Sequence, residues 1–214
     1  MTKYMFISGK RYSGKDTLAA AVMKRLEYAS IARKPARVAL ADALKEDYAG
    51  TIRNLTVDEL QNGHPSGKKE IHRKALIKYG SDMRAKDIDY WCKRLQGTVE
   101  HSSKPPSVVC IPDGRYLNEL EYFRKLDAIL VRLEIHSSVL CSRGWTFTPG
   151  VDDHPSETQL DIGNTRPENW DIIVTHDGIK FHVYKNPATA HRQTVMDVNI
   201  GDFLSAWHNG GCKL

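Results

Sequence analysis

The sequence predicts an α/β fold of three layers, a mostly parallel sheet covered by helices. Two observations predict it. Short apolar runs alternate with helical patterns along most of the chain, the arrangement of consecutive βαβ units. Ser107–Ile111 reads Ser-Val-Val-Cys-Ile without a polar break, the pattern of a strand covered on both faces.

The elements follow in order. Tyr4–Ser8 is an apolar strand ended by Gly9, and Asp16–Tyr28 a helix with Leu18, Val22 and Leu26 spaced by four. Pro35 precedes an expected strand over Arg37–Leu40, and Ala43–Tyr48 opens a helix. His64-Pro65-Ser66-Gly67 is a loop. Lys68–Tyr79 is helical, with Ile71, Ala75, Leu76 and Tyr79 on one face, and Asp89–Thr98 is a further helix. After the Ser107–Ile111 strand come a helix over Asn118–Leu126 and a strand over Ala128–Leu133. Arg143–Asp161 is rich in Gly, Pro, Thr and Asp and reads as loop or lid. Trp170–Val174 is a strand stopped by Asp177-Gly178, and Ile200–Trp207 a closing helix; residues 179–198 fit no pattern.

The chain has 214 residues, 41% of them hydrophobic and 27% charged. That suits one domain with a sizeable core and excludes disorder throughout. No apolar run approaches the roughly 20 residues a membrane helix needs, and the N-terminus is too short a hydrophobic stretch for a signal peptide. A cytoplasmic protein is expected, without membrane partners. Cys92, Cys110, Cys141 and Cys212 have neither CxxC nor zinc spacing and read as reduced thiols. The net charge of +5 divides unevenly, about +9 over residues 1–150 and −4 over residues 151–214. A modest positive field suits an anionic ligand such as a nucleotide or phosphate ester. No Lys/Arg tract interleaved with aromatics points to nucleic acid.

The chemistry begins after the first strand, at Gly9-Lys10-Arg11-Tyr12-Ser13-Gly14-Lys15-Asp16-Thr17. This is GxxxxGK between a strand and a helix, the phosphate-binding P-loop context. Its glycines let the backbone approach closely, and its amides, with the helix N-terminus, cradle phosphate oxygens. Lys15 would reach the β- and γ-phosphates of a nucleotide. Asp16 stands where a Ser or Thr hydroxyl usually meets Mg²⁺; a carboxylate can serve that cation directly or through water. Thr17 is one residue late for the role and supports the helix start. The extra cations Lys10 and Arg11 suit a phosphoryl transferase better than a slow GTPase switch.

Other candidates cluster around this motif. Asp113 ends an apolar strand, where it either holds a Mg²⁺-bound water or turns the chain with Gly114. Arg115 falls at the C-terminal edge of the sheet, where α/β ligands gather, and can grip a phosphate bidentately or form a surface ion pair. Lys45, Arg73, Arg84 and Lys93 lie on mid-chain helices. Singly each reads as a solvated face, but in a P-loop kinase such helices bind the acceptor. Arg143 begins a segment rich in aromatics and glycine, either a lid closing on nucleotide or an ordered loop whose Trp145 and Phe147 plug the core. His154-Pro155-Ser156-Glu157 either starts a helix capped by Ser156 or closes over the acceptor.

Longer stretches carry a resemblance. SGKRYSGKD (8–16), ALKEDYA (43–49), KEIHRKALIKYG (69–80), the Arg84 segment and RGWTFTPGVDD with the SE and LD that follow (143–161) resemble the animal-type phosphomevalonate kinases. These are P-loop enzymes of nucleoside-monophosphate-kinase-like fold, and Asp16 is itself their pattern. PDGRYLNE (112–119) and DHPSETQLD (153–161) also look like phage-type deoxynucleoside monophosphate kinases, a related group.

The first resemblance implies transfer of the γ-phosphoryl of Mg-ATP to the phosphate of mevalonate 5-phosphate, giving the 5-diphosphate and ADP. A deoxynucleoside monophosphate is the alternative acceptor. The resemblance places Lys15 and Arg11 on the transferring phosphoryl, Arg84 and Arg115 on the acceptor phosphate, and Arg132 and Arg143 on the nucleotide side. Gly9, Lys10, Ser13, Gly14, Asp16 and Thr17 complete the ATP site. Lys45, Arg73, Lys93 and Asp153 join the acceptor site, and Asp16 and Asp113 are the Mg²⁺ candidates. The family commonly has paired arginines where this chain has Arg115-Tyr116, and often a basic residue at Leu140. The expected organisation is a single, monomeric P-loop kinase domain over 1–214, with acceptor-binding helices over about 43–100 and a lid over about 136–161.

Overall fold

The computed structural model describes residues 2–28, 34–61, 65–176 and 181–186. The chain divides into two compact units, one comprising Met1–Arg37 with Ser107–Leu214 and the other Val38–Pro106.

The first unit opens with β1 (Lys3–Gly9), α1 (Lys15–Tyr28) and β2 (Ala36–Arg37). The second unit holds α2 (Leu40–Thr51), α3 (Lys68–Lys86) and α4 (Tyr90–Glu100). The chain then returns to the first unit with β3 (Val108–Gly114), α5 (Leu117–Lys125), β4 (Ile129–Ile135) and α6 (Ser137–Ser142). The short α7 (Pro155–Thr158), β5 (Ile172–His176) and β6 (Phe181–Lys185) follow.

Six strands form one sheet in the order β2-β3-β1-β4-β5-β6. All neighbouring pairs are parallel except β5 with β6. β1 is central and alternates its side chains between two helical layers. Met5 and Ile7 pack with Leu18, Val22 and Leu26 of α1 on one face. Tyr4 and Phe6 meet Phe123 of α5 on the other, at ring-centroid distances of 5.7 and 5.6 Å. The three expected layers are present. Because the chain runs from β3 on one side of β1 to β4 on the other, the strand order reverses at β1. That is where open α/β sheets gather their ligands.

In the second unit Tyr48, Ala49, Leu55, Leu60 and Leu76 form the core. Trp91 of α4 donates from its indole N–H to the Gly80 carbonyl at 3.2 Å. A Cβ on Gly80 would lie 2.6 Å from a Leu44 methyl, so α3 and the Leu44 side chain pack closely there.

Several expected boundaries are corrected. The strand expected over Arg37–Leu40 stops at Arg37, because Leu40 already starts α2 behind Ala39 in extended conformation. α3 runs on to Lys86, and its buried stripe carries Leu76 and Gly80, while Ile71 is 76% exposed and Ala75 is exposed. The stretch 143–161 is not loop throughout, for it contains α7. The cap of α7 is His154 rather than Ser156: the His154 ring accepts the Ser156 backbone N–H at 3.2 Å, and Pro155 takes the first helical turn. β6 falls in a region that gave no pattern. The expected closing helix over Ile200–Trp207, the Asp177-Gly178 stop and Cys212 lie outside the described residues. Cys92, Cys110 and Cys141 form no disulfide among the described residues, and the first two are buried. Among the described residues no helix is long and apolar enough to cross a membrane.

Candidate active site

The loop between β1 and α1 is held in a tight, partly left-handed shape. Tyr12 has φ 61° and Gly14 φ 90°. Gly14 adopts this at no steric cost, whereas Tyr12 is strained in a way its residue type did not announce. A Cβ on Gly9 would lie 2.7 Å from the Ser13 hydroxyl and 3.0 Å from the Leu133 carbonyl, so β1 can pass this close only as glycine. The Ser13 backbone N–H donates to the Lys10 carbonyl at 3.2 Å. Arg143 donates from Nη1 to the carbonyls of Tyr12 and Ser13, both at 3.1 Å, and ties the segment after α6 to the loop.

A concavity here is lined by Tyr12, Gly14, Lys15, Asp16, Thr17 and Arg143. The Ser13 hydroxyl is buried and has no hydrogen-bond partner among the described residues. A buried orphan donor at the start of a helix suits a phosphate oxygen.

Lys15 is 8% exposed and donates from Nζ to the Lys10 carbonyl at 2.9 Å. Burial, and then the Arg115 guanidinium, pull its ammonium down to about 8. Glu157, Asp16 and Asp113 act on it in the opposite sense. Lys15, Arg115 and three carboxylates thus share one electrostatic neighbourhood at the C-terminal end of β1 and β3.

Lys10, Arg11, Arg115 and Arg132 of this unit each meet a carboxylate of the 152–161 stretch. Lys10 meets Asp161 at 2.8 Å, and Arg11 lies 3.7 Å from Asp152. Arg115 donates from Nη1 to Glu157 and, at 3.3 Å, to the Ser156 carbonyl. Arg132 is 2% exposed and donates from all three nitrogens: Nη1 to Ser8 Oγ at 3.0 Å, Nε to Glu134 at 2.6 Å and Nη2 to Asp161 at 2.7 Å.

The sequence singled out neither Glu157, Asp161 nor Asp152 individually as a partner of these cations. Asp153, which it did single out, is exposed and makes no hydrogen bond or ion pair among the described residues. Its neighbour Asp152 is the buried one, accepting the Thr148 N–H at 2.8 Å and the Trp145 indole N–H at 3.2 Å. Trp145 and Phe147 do not plug the core. They meet edge to face at 6.3 Å, with Phe147 53% exposed. Leu140, the departure from the family pattern noted above, is 3% exposed and belongs to the packed side of α6.

Asp16 accepts both Nε and Nη2 of Arg37, at 3.1 and 2.8 Å. Asp113 lies at the end of β3. Among the described residues no three His, Cys, Asp or Glu side chains gather as a metal cluster. Two carboxylates beside a phosphate loop fit Mg²⁺ that is held mainly by nucleotide oxygens.

Lys45, Arg73, Arg84 and Lys93 belong to the second unit. Lys45 is buried on α2, where its ammonium donates to Asp42 at 3.2 Å and Gln61 at 2.8 Å. Arg73 and Arg84 lie on α3, and Lys93 of α4 pairs with Asp87 at 2.7 Å.

A glycine-bearing loop between a central parallel strand and a helix, with a buried lysine and several arginines at the strand-order reversal, defines the P-loop phosphotransferase class. A sequence model of the family described as phosphomevalonate kinase matches residues 7–128. A phosphomevalonate kinase of Drosophila melanogaster is 30% identical over 181 residues, covering 83% of this chain and 89% of its own length. The chain belongs to the phosphomevalonate kinase family.

Proposed function

We propose that this enzyme transfers the γ-phosphoryl of ATP to the phosphate of mevalonate 5-phosphate, giving mevalonate 5-diphosphate and ADP. The observation that carries the reading is the Glu157 carboxylate that joins the Arg115 guanidinium to the Arg11 amide of the P-loop, in a chain from this family. Phosphoryl transfer asks for little covalent chemistry, and positioning and charge stabilisation supply the catalysis. Lys15 and Arg11 act on the transferring phosphoryl. The P-loop amides and the Ser13 hydroxyl cradle the nucleotide phosphates, with Lys10, Thr17, Arg132 and Arg143 on the same side.

Arg115 holds the acceptor phosphate, and Asp153 also serves the acceptor. No general base is required, because a phosphomonoester with a second pKa near 6 already offers an ionised oxygen at pH 7. Mg²⁺ enters with ATP as part of the substrate, where it neutralises phosphate charge. Asp16 and Asp113 are the carboxylates that would hold it.

In this reading 1–214 is one kinase domain with a helical acceptor region and a lid over about 136–161. It works as a monomer on a small acceptor, without nucleic acid. Cys92, Cys110 and Cys141, none of them in a disulfide among the described residues, fit a reducing, cytoplasmic setting.

The test is a coupled ADP-release assay with Mg-ATP against mevalonate 5-phosphate and the four deoxynucleoside monophosphates. Turnover with mevalonate 5-phosphate alone is expected. Turnover confined to a deoxynucleotide would transfer the site to the alternative acceptor.

A further inference from the structure

Arg115 is anchored twice. Its backbone N–H donates at 2.8 Å to Glu119, a carboxylate 1% exposed that also accepts the Tyr116 N–H at 3.0 Å. Its guanidinium is held from the opposite stretch of chain, by Glu157 and the Ser156 carbonyl. The Glu157 side chain is 8% exposed, and its second oxygen accepts the Arg11 backbone N–H of the P-loop at 3.3 Å. One carboxylate therefore bridges the loop that carries Lys15 and the arginine at the end of β3.

The hydrogen-bond inventory gives this bridge a direction. A guanidinium carries five N–H groups in a fixed plane. Glu157 and Ser156 both use Nη1, which has only two. Nε and Nη2 donate to no side chain or carbonyl among the described residues. Those three remaining N–H groups form the edge that grips a phosphate with two parallel bonds.

We propose that Glu157 is a positioning residue, clamping Nη1 of Arg115 so that the Nε–Nη2 edge is presented to the phosphate of the acceptor. This rests on the acceptor role given to Arg115 above. Glu157 touches neither substrate. It fixes the orientation of the group that does, and through Arg11 it sets that group's distance from the P-loop. Without it the arginine side chain would regain rotamer freedom, and the fork would be ordered only when the acceptor arrived.

The experiment compares wild type with Glu157→Ala, Glu157→Gln, Arg115→Met and the double variant Arg115→Met/Glu157→Ala, with the melting temperature of each recorded. Glu157→Ala should raise the KM for mevalonate 5-phosphate at least tenfold and leave the KM for ATP within twofold. Glu157→Gln keeps an oxygen that can accept from Nη1, so its rise should be threefold or less. Arg115→Met and the double variant should share one acceptor KM, because Glu157 acts on the acceptor only through the arginine. Equal losses for both substrates, equal effects of Ala and Gln, or a double variant worse than Arg115→Met would overturn the proposal.

If wild type fails to turn over mevalonate 5-phosphate, the functional reading falls separately. The clamp is then decided without turnover, by the rate of phenylglyoxal modification of Arg115 followed by peptide mass. A severalfold faster reaction in Glu157→Ala, with Glu157→Gln close to wild type, supports the clamp. Equal rates in all three proteins overturn it.

Discussion

Asp161 binds Arg132 at 2.7 Å through one oxygen and Lys10 at 2.8 Å through the other. Arg132 lies on β4 with its side chain 2% exposed, and Lys10 lies in the P-loop. Removing one partner of a buried charge leaves the other desolvated and uncompensated. Asp161 is 25% exposed, so water recovers part of the loss. Asp161→Asn should cost about 2 kcal/mol, a fall in Tm of about 4–8 °C for a chain of this size. The KM for ATP should rise as well, because Lys10 loses its restraint. Thermal melts and ATP kinetics check this, and a variant unchanged in both would show that the bridge carries no weight.

Lys15 presents the opposite trade. Its ammonium is buried, held down to about 8 by that burial, and bonded only to the Lys10 carbonyl among the described residues. A charged amine kept at a desolvated site weakens the empty protein. Lys15→Met keeps the length and the apolar stem. It should lower kcat about 100- to 1,000-fold, the usual loss when one preorganised charge on a transition state is removed. At pH 7 its Tm should equal or exceed that of wild type. Retention of more than a tenth of wild-type kcat would take Lys15 out of its role.

Most of the first unit was legible because its signals are local. The Gly9-to-Lys15 spacing specifies a backbone shape, and the apolar runs of β1 and β3 specify strands covered on both faces. β6 was not legible: it is a five-residue strand that, among the described residues, pairs only with the antiparallel β5. Val38-Ala39-Leu40 continued an apolar run, and nothing local marked Ala39 as the place where extended chain becomes helix. In the site, the cations announced themselves by position, but their partners did not. Glu157 meets Arg115 across 42 residues, and Asp161 meets Lys10 across 151. Such pairings are set by the fold, and a carboxylate in a loop carries no sign of which distant cation it will meet.

In the second unit, Glu59 accepts Lys68 Nζ at 2.6 Å, the Thr56 N–H at 3.0 Å and the Thr56 hydroxyl at 3.1 Å. The Lys68 hydrogen bond and then the Thr56 amide hold its carboxyl down to about 2, against 4.5 for an ordinary glutamate. A carboxylate with a depressed folded pKa stabilises fully above its unfolded pKa, and that contribution is lost as pH falls toward the folded one. Glu59→Gln should therefore unfold at lower urea than wild type at pH 7. The gap should begin to close below about pH 4.5 and narrow steadily toward pH 2. A gap independent of pH would mean that the charge contributes nothing beyond the shape of the side chain.

Gly114 separates Asp113 from Arg115, and the space around it is filled. A Cβ there would lie 2.1 Å from Cζ of Phe6 and 2.6 Å from the ring carbons beside it. Phe6 is wholly buried and stacked on Phe123 at 5.6 Å, so its ring has nowhere to move. The Gly114 carbonyl accepts the Ser8 hydroxyl at 2.9 Å, which pins this end of β3 to β1. Gly114→Ala must push β3 away from β1 or tilt the ring, an overpacking cost of about 1–3 kcal/mol. The displacement falls on the two residues that flank the glycine. The variant should melt about 2–12 °C lower and show a higher KM for the phosphorylated acceptor, because Arg115 moves with the strand end. A Tm within a degree of wild type would mean that the β1–β3 edge yields more freely than its packing implies, and Arg115 would then keep its place.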